Sequence, residues 1–518
     1  MNRQQMLDQL EQAHIWDIVI IGGGATGLGA AVDAASRGYK TLLVEQVDFA
    51  KGTSSRSTKL IHGGVRYLAQ GNIKLVRESL RERGLLLKNA PHVCHNLSFI
   101  LPSFRWWEKW YYGIGLKLYD LLSGKLSLGK TSFLSKKETQ KLLPAISTRK
   151  LSGAVLYHDG QFDDSRLAIN LAQTAVEQGG AVINYCKLIS LIKTNGRING
   201  VLIEDVLTTK RYTVNCKAVI NATGVFTDNI MLLDDPQHEP AITVSQGTHI
   251  VVEKYFFPGE RAMIIPATDD GRVLFAVPWH NKVIIGTTDT MVDKISIEPK
   301  PFPEEIDFII RHINRYLITD IKHSDVKTVF SGLRPLIGIK EKKGTSLLPR
   351  DHTTIVSNSG LVTITGGKWT TYRTMGKSAV DNAVFVAKLD KQPGMTESLP
   401  IHGFTNNPDQ DKNLSVYGSD AIAIRQLMNE LPLLQEKIHA GLPYTKATVI
   451  WAVRHEMAMT VEDVLARRTR ALFLDAGAAI ESAILVIELM AKELDQTNEW
   501  QKQQLKNFTD IANNYLIN

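Results

Sequence analysis

Gly22-Gly23-Gly24-Ala25-Thr26-Gly27 follows the apolar run Ile18-Val19-Ile20-Ile21 and opens a small-residue stretch that ends in Thr41-Leu42-Leu43-Val44 and Glu45. The pattern is strand, tight turn, helix, strand, and its chemistry is pyrophosphate binding. The first glycine, Gly22, turns the chain, Gly24 lets backbone approach a diphosphate, and Gly27 allows the helix to lie close to the strands. Free N–H groups at the helix start, around Thr26, and the positive end of its dipole attract phosphates. Glu45 stands eighteen residues beyond Gly27, at the end of the second strand, where a carboxylate accepts hydrogen bonds from a ribose. An acid there favours an unphosphorylated ribose, hence FAD or NAD over NADP.

Two arginines sit where glycines loosen the chain: Arg66 after His62-Gly63-Gly64-Val65, and Arg334 after Ser331-Gly332-Leu333. The planar guanidinium fork suits a phosphate dianion, and both side chains have room to reach one cavity. Taken singly, each also fits a solvated ion pair at the surface. Thr53-Ser54-Ser55-Arg56-Ser57-Thr58-Lys59, just upstream, is polar and reads as a loop.

Composition is that of a globular protein, and 518 residues suffice for more than one domain. The formal charge of +7 is compatible with anionic substrates, nucleic acid or an acidic membrane surface, and selects none of them. Cys94, Cys186 and Cys216 are scattered, without a CxxC pair, so they read as buried reduced thiols and no metal site is expected. The polar N-terminus, Met1 to His14, reads as a short surface helix, and no apolar run is long enough to span a bilayer.

The elements that must position these groups are readable in outline. Leu75, Ser79, Glu82 and Leu86 mark helical turns between 72 and 90, and Ala218 to Gly224 reads as a strand entering a tight turn. Residues 241 to 340 read as a mostly antiparallel sheet, with strands at 248–252, 273–277 and 283–286. Leu361 to Thr365 is a further strand delivering Gly366-Gly367-Lys368-Trp369-Thr370-Thr371 into a helix. From Ala421 the pattern is helical, and Thr460-Val461-Glu462-Asp463 has capping-box character. The fold class is therefore α/β. A Rossmann-like dinucleotide domain (about 15–90, 150–235 and 345–394) interleaves with a mixed or antiparallel-sheet substrate domain (about 91–149 and 236–344), and an all-α domain occupies 395–518.

Taken together, IGGGATGLGAA with Glu45, TSSRSTKLIHGGVRYL (53–68), NATG (221–224), GTHIVV (247–252), IIGTTD (284–289), SGLRPL (331–336), GGKWTTYR (366–373) and RHEMAMTVEDVLARRTRALFLD (454–475) resemble the FAD-dependent, respiratory glycerol-3-phosphate dehydrogenases of the D-amino-acid-oxidase-like flavoproteins. The resemblance spans essentially the whole chain. The first motif is common to many flavoproteins, whereas KLIHGGVRYL, SGLRPL and the arginine-rich C-terminal segment are specific to this family. Arg56 departs from the pattern, standing where a small residue is usual.

The resemblance implies oxidation of sn-glycerol 3-phosphate to dihydroxyacetone phosphate, with noncovalent FAD passing electrons to a membrane quinone, ubiquinone or menaquinone. A glycerol-3-phosphate oxidase that forms peroxide is the alternative. It further implies that Gly22, Gly24, Thr26, Gly27 and Glu45 take the ADP half of FAD, while Thr53, Ser54, Ser55, Lys59 and Leu60 line the path to the ring. Ala222, Thr223 and Gly224 form a second turn near it, and Gly366, Gly367 and Thr370 face its pyrimidine end. Arg66 and Arg334 then bind the phosphate, with Tyr67, Thr288 and Asp289 as further substrate contacts. His249 or Lys368 is the proton acceptor; an unperturbed histidine near pKa 6.5 suits the task, and Lys368 instead suits phosphate or the reduced flavin.

Residues 104–122 hold three of the eight tryptophans within five positions. On a helix, Trp107, Tyr111, Ile114, Leu118 and Leu121 share one face, flanked by Arg105, Lys109 and Lys117. That face fits either the protein's own core, a homodimer contact, or the membrane-water boundary. The quinone-linked resemblance favours the last, on the cytoplasmic face of the inner membrane. Arg467-Arg468-Thr469-Arg470 raises a different reading, an RNA-binding module; solvated or internally paired arginines are the ordinary alternative, and no nucleic-acid partner is expected.

Overall fold

The computed structural model describes residues 1–518 except 13, 66, 67, 69, 70, 267, 339–351 and 518. Trp16–Ile21 is apolar because it is covered on both faces, and it pairs in parallel with Thr41–Val44 on one side and Arg211–Asn221 on the other. Leu361–Gly366 and then His352–Val356 extend this sheet beyond Arg211–Asn221, and Ala181–Ile183 extends it beyond Thr41–Val44. The helices Ala25–Ser36, Asp164–Glu177 and Tyr372–Val386 contribute to its core. The dinucleotide half of the α/β expectation is thus present.

A second sheet orders Thr290–Val292, Ile242–Glu253, Lys282–Gly286, Leu274–Trp279, Ala262–Ile265, Cys94–Ser103, Gly153–Phe162 and Leu60–Ile61, with Val326–Ile337 also paired to Ile242–Glu253. Its described pairings are antiparallel apart from Ala262–Ile265 on Cys94–Ser103. Two segments assigned from sequence to the dinucleotide part, around 60–61 and 153–162, belong here instead. Gly153–Phe162 pairs residue for residue with Cys94–Ser103, a long-range register that no local pattern announces.

Ile73–Asn89 forms as the periodicity requires, and Leu75, Ser79, Glu82 and Leu86 are all buried. Glu82 tolerates burial because Arg373 donates two hydrogen bonds to it, at 2.6 and 2.8 Å. Arg3–Leu10 is docked rather than free on the surface: Met6, Leu7 and Leu10 are buried, and Arg3 Nη2 reaches Asp205 at 2.7 Å. The C-terminal helices, among them Lys446–Glu456, Ala476–Glu493 and Asn498–Ala512, share one apolar core with Val251, Trp279 and Phe330 of the second sheet. Thr460 and Asp463 exchange the predicted capping bonds, at 2.9 and 3.3 Å.

Glu108–Ser123 packs inward through Gly113, Leu116 and Tyr119. Tyr119 Oη accepts from Gly63 N at 2.7 Å and donates to Asp159 at 2.8 Å. Its other face is exposed at Trp110, Tyr111, Ile114, Leu118 and Leu121, and Trp106 and Trp107 just ahead of it are exposed as well. The face therefore does not pack into the protein's own core. Among the described residues no helix is long and apolar enough to cross a membrane.

Candidate active site

The pyrophosphate turn has the geometry its glycines predict. Gly22 takes φ +110°, a conformation that L side chains avoid, and a Cβ at Gly27 would stand 1.8 Å from Gly22 O. Gly24 caps Ala25–Ser36 with extended backbone and no side-chain cap. A Cβ there would meet only Ser54 Oγ, at 3.1 Å, so the protein itself leaves the space beside this helix start open. That opening, with first-turn N–H groups facing it, fits a diphosphate. Glu45 accepts from Gly23 N at 2.7 Å and from Val47 N at 3.0 Å, and burial lifts its carboxyl above the ordinary range against the pull of these amides.

The loop after it gathers the remaining cofactor motifs around this turn. Ser54 Oγ accepts from Ala25 N at 2.9 Å, and Ser54 O accepts from Trp369 Nε1 at 2.8 Å. Thr53 Oγ1 donates to Leu333 O at 2.6 Å, and Thr370 Oγ1 to His62 O at 3.4 Å. Ala222 N donates to Ile21 O at 2.9 Å, which sets Ala222-Thr223-Gly224 against Gly22. The 366–370 turn, entered through Gly366 at φ +82° and Gly367 at φ +79°, thus closes over the 53–55 loop. Lys59 departs from its expected role. Its ammonium is fully buried, bound to Asp164 Oδ2 and Ser55 O at 2.7 Å each, with the Trp279, Phe330 and Phe473 rings around it. Burial and Arg470 lower its pKa to about 7 against the opposing effect of Asp164.

The substrate side is built on Ile242–Glu253, where Ser245 stands opposite Arg334 and His249 lies between Gly286 and Phe330. Arg334 lies across Gly247, where a Cβ would be 2.1 Å from Nη2. Its Nη2 donates to Thr287 Oγ1 at 3.0 Å, and Nη1 stands 3.5 Å from Asp289, whose Oδ1 also accepts from Ser245 Oγ at 2.6 Å. His249 is 2 % exposed; its ring stacks on Phe330 at 4.8 Å, and Nε2 meets Thr58 Oγ1 at 2.9 Å. Among the described residues Nδ1 has no hydrogen-bond partner. Burial, then the Arg334 and Lys59 cations, push its pKa well below 6.5, so the unperturbed value expected from sequence does not hold and the ring is neutral. Thr288 is also reassigned: it donates to Glu305 Oε1 at 2.7 Å and accepts from Thr248 N at 2.9 Å, so its hydroxyl is committed internally. Lys368 opens the 369–371 turn and is half-buried. Arg66 and Tyr67 lie outside the described residues.

The arginine-rich segment has no solvated face. Arg467, Arg468 and Arg470 are each 2 % exposed. Arg468 holds Asp48 with two bonds at 2.5 and 2.9 Å, Arg467 adds a third at 2.5 Å, and Arg470 reaches Asp164 at 3.1 Å and Ser55 O at 2.9 Å. Burial by itself raises the Asp48 carboxyl, but Arg468 and Arg467 overcome it and hold it well below the ordinary range. Arg56, the departure noted in the loop, donates to Glu298 at 2.7 Å and to Ser331 O at 3.2 Å. These charges are consumed inside the protein, which removes the basis of the RNA-binding reading.

An open helix start, a second turn beside it and a hydrogen-bonded loop across both define a flavoprotein of the dehydrogenase and oxidase type. The chain belongs to the FAD dependent oxidoreductase family, which it matches over residues 17–373, and residues 393–504 match the C-terminal domain of alpha-glycerophosphate oxidase. More particularly, it is similar to glycerol-3-phosphate dehydrogenases: 39% identical to the mitochondrial enzyme of Homo sapiens over 540 residues, covering 98% of this chain and 74% of that one. Its identity to the mitochondrial enzyme of Arabidopsis thaliana is 40%, over 95% of this chain and 85% of that one. Among solved structures, the glycerol-3-phosphate dehydrogenase from Bacillus halodurans complexed with FAD superimposes with a TM-score of 0.80 at 28% identity, covering 99% of this chain and 97% of that one.

Proposed function

We propose that this chain oxidises sn-glycerol 3-phosphate to dihydroxyacetone phosphate with noncovalently held FAD and delivers the electrons to a membrane quinone. Bound FAD supplies the two-electron acceptor for the hydride leaving C2. The observation that carries the substrate reading is Arg334 laid over Gly247, on the strand that also bears His249, with its guanidinium held by Thr287 and Asp289. Arg334 takes the phosphate there, joined by Arg66 and Lys368. His249, neutral and with Nδ1 unspent, receives the C2 hydroxyl proton; its burial restricts water, and its depressed pKa makes it a weak base that stays unprotonated at neutral pH. Lys368 is the competing proton acceptor.

The bare face of Glu108–Ser123 supports attachment to the cytoplasmic face of the inner membrane, because a lipid-soluble acceptor must be met at the bilayer. Charge supports it too: residues 101–150 hold ten Lys or Arg and three Asp or Glu, an excess equal to the formal +7 of the whole chain. Nine of those ten cations are exposed. Such a surface favours the quinone over oxygen as the acceptor, which oxygen-consumption and quinone-reduction assays distinguish.

Anaerobic sn-glycerol 3-phosphate should bleach the flavin of the holoenzyme. Arg334→Ala should weaken kcat/KM for sn-glycerol 3-phosphate by about 30-fold or more, the loss of on the order of 2 kcal/mol from a charge-assisted contact to a desolvated dianion. Glycerol, which lacks the phosphate, should be turned over with little change. Equal proportional losses on both substrates would remove the phosphate role.

A further inference from the structure

Glu305 stands at the start of the helix Pro303–Asn314, is 5 % exposed, and accepts five hydrogen bonds. Thr288 and Thr290 donate to Oε1 at 2.7 Å each. Thr248 Oγ1, Gln246 Nε2 and Phe302 N donate to Oε2 at 2.6, 2.8 and 3.2 Å. Five donors converging on one buried carboxylate leave it fully solvated by the protein.

The donors are informative because of what they adjoin. Thr248 precedes His249, and Thr288 and Thr290 flank Asp289, while Thr287 and Asp289 together hold Arg334. Thr248 Oγ1 also lies 2.6 Å from Ser331 Oγ on the strand that carries Arg334. One side chain from outside the sheet therefore joins three elements, each bearing a group assigned to substrate. An ordinary core carboxylate needs one cation; this one has spent its hydrogen-bonding capacity on hydroxyls and amides at those positions.

We infer that Glu305 is a positioning residue for substrate binding: it fixes the 287–290 turn against the 242–253 and 326–337 strands, and thereby sets where the Arg334 guanidinium meets the phosphate. The inference rests on the phosphate role proposed for Arg334. A carboxamide at 305 can replace one carboxylate oxygen, but it presents N–H donors where the other oxygen now accepts from two hydroxyls, so the turn must rearrange. A shift of a few tenths of an ångström in a charged contact is felt in ground-state binding before it is felt in the chemical step.

The test is steady-state kinetics on the FAD-loaded Glu305→Gln enzyme, with Arg334→Ala assayed alongside. Glu305→Gln should retain stoichiometric flavin, raise KM for sn-glycerol 3-phosphate at least tenfold, raise Ki for inorganic phosphate in parallel, and leave kcat/KM for glycerol within about twofold. Thr288→Val, which deletes one of the five donors, should shift the same KM about threefold, and the double variant should fall short of the product of the two effects. Should Glu305→Gln fail to accumulate as folded protein, Thr288→Val alone decides. An unchanged KM, or equal losses on glycerol and sn-glycerol 3-phosphate, would make Glu305 a structural residue only and overturn the inference. If instead Arg334→Ala leaves the preference for the phosphorylated substrate intact, the phosphate role itself fails and the inference falls with it.

Discussion

Two arginine- and lysine-rich regions of this chain have opposite fates. The 467–470 cluster is sealed inside, each guanidinium met by Asp48, Asp164, Glu462 or Asp463. The 101–150 region keeps its cations in water beside a row of exposed aromatic rings. Cation content alone is therefore a poor guide to a binding surface. What separates the two is the supply of carboxylates: the first region is matched by the adjacent Glu462 and Asp463 and by the distant Asp48 and Asp164, whereas the second holds only three of its own. The matched region serves as an internal clamp, and the unmatched one faces outward, as the proposed contact with an anionic membrane surface requires.

The sharpest way to break this contrast is at Arg468. Arg468→Met should leave Asp48 buried with a reduced complement of donors and lower the unfolding free energy by about 3–5 kcal/mol, read as a shifted urea midpoint together with loss of bound flavin. A variant with wild-type midpoint would mean that the cluster clamps nothing. Next in size, replacing Trp106, Trp107 and Trp110 with serine should weaken binding to anionic liposomes by on the order of tenfold or more, from the apolar area no longer buried in lipid. Thermal stability and substrate-driven bleaching should persist, because these side chains lie outside the core; unchanged liposome binding by the folded variant would refute this helix as the anchor.

Salt separates the two regions without mutation. At 1 M the screening length falls to about 3 Å, so liposome binding should decline while flavin content holds; parallel loss of both would deny that the 467–470 ion pairs are shielded. The smallest effect concerns His402, which bridges Asp420 at 2.9 Å and Glu177 and so lies between the two extremes. Burial lowers its pKa, but Asp420 and Glu177 outweigh this and raise it to about 9. A raised folded-state pKa stabilises most below the unfolded value of about 6.5, and the contribution fades as pH rises through about 9. His402→Gln should accordingly cost stability at pH 6 and almost none at pH 10, as followed by denaturant midpoints; a deficit that grows with pH would reverse the assignment.

The sequence discloses interactions that are close along the chain. Trp16–Ile21, the glycine turn, Ala25–Ser36 and Thr41–Val44 all fall between residues 16 and 44, and their apolar and glycine spacing is set by one local packing problem. Side-chain commitments made across the chain are hidden. Lys59 and Thr288 carry groups suited to ligands, yet Asp164 and Glu305 take them, and those partners lie 105 and 17 positions away. Glu305 itself reads only as an acid near Pro303 at a helix start, because nothing local shows that the hydroxyls of Thr248, Thr288 and Thr290 converge on it. The sheet to which Gly153–Phe162 belongs is likewise hidden, because it depends on pairing with Cys94–Ser103.

The separation between Asp48 and its two arginines, 419 and 420 positions, also dictates an order of manufacture. At about 5–20 residues per second, a ribosome needs roughly 20–80 s between the two ends of that contact. During this interval the nascent glycine turn and its polar loop are already made, but Asp48 still lacks both of its arginines. A chain cut short before residue 467 should accordingly carry its first motif intact and retain no flavin, as read from the absorbance of the purified protein.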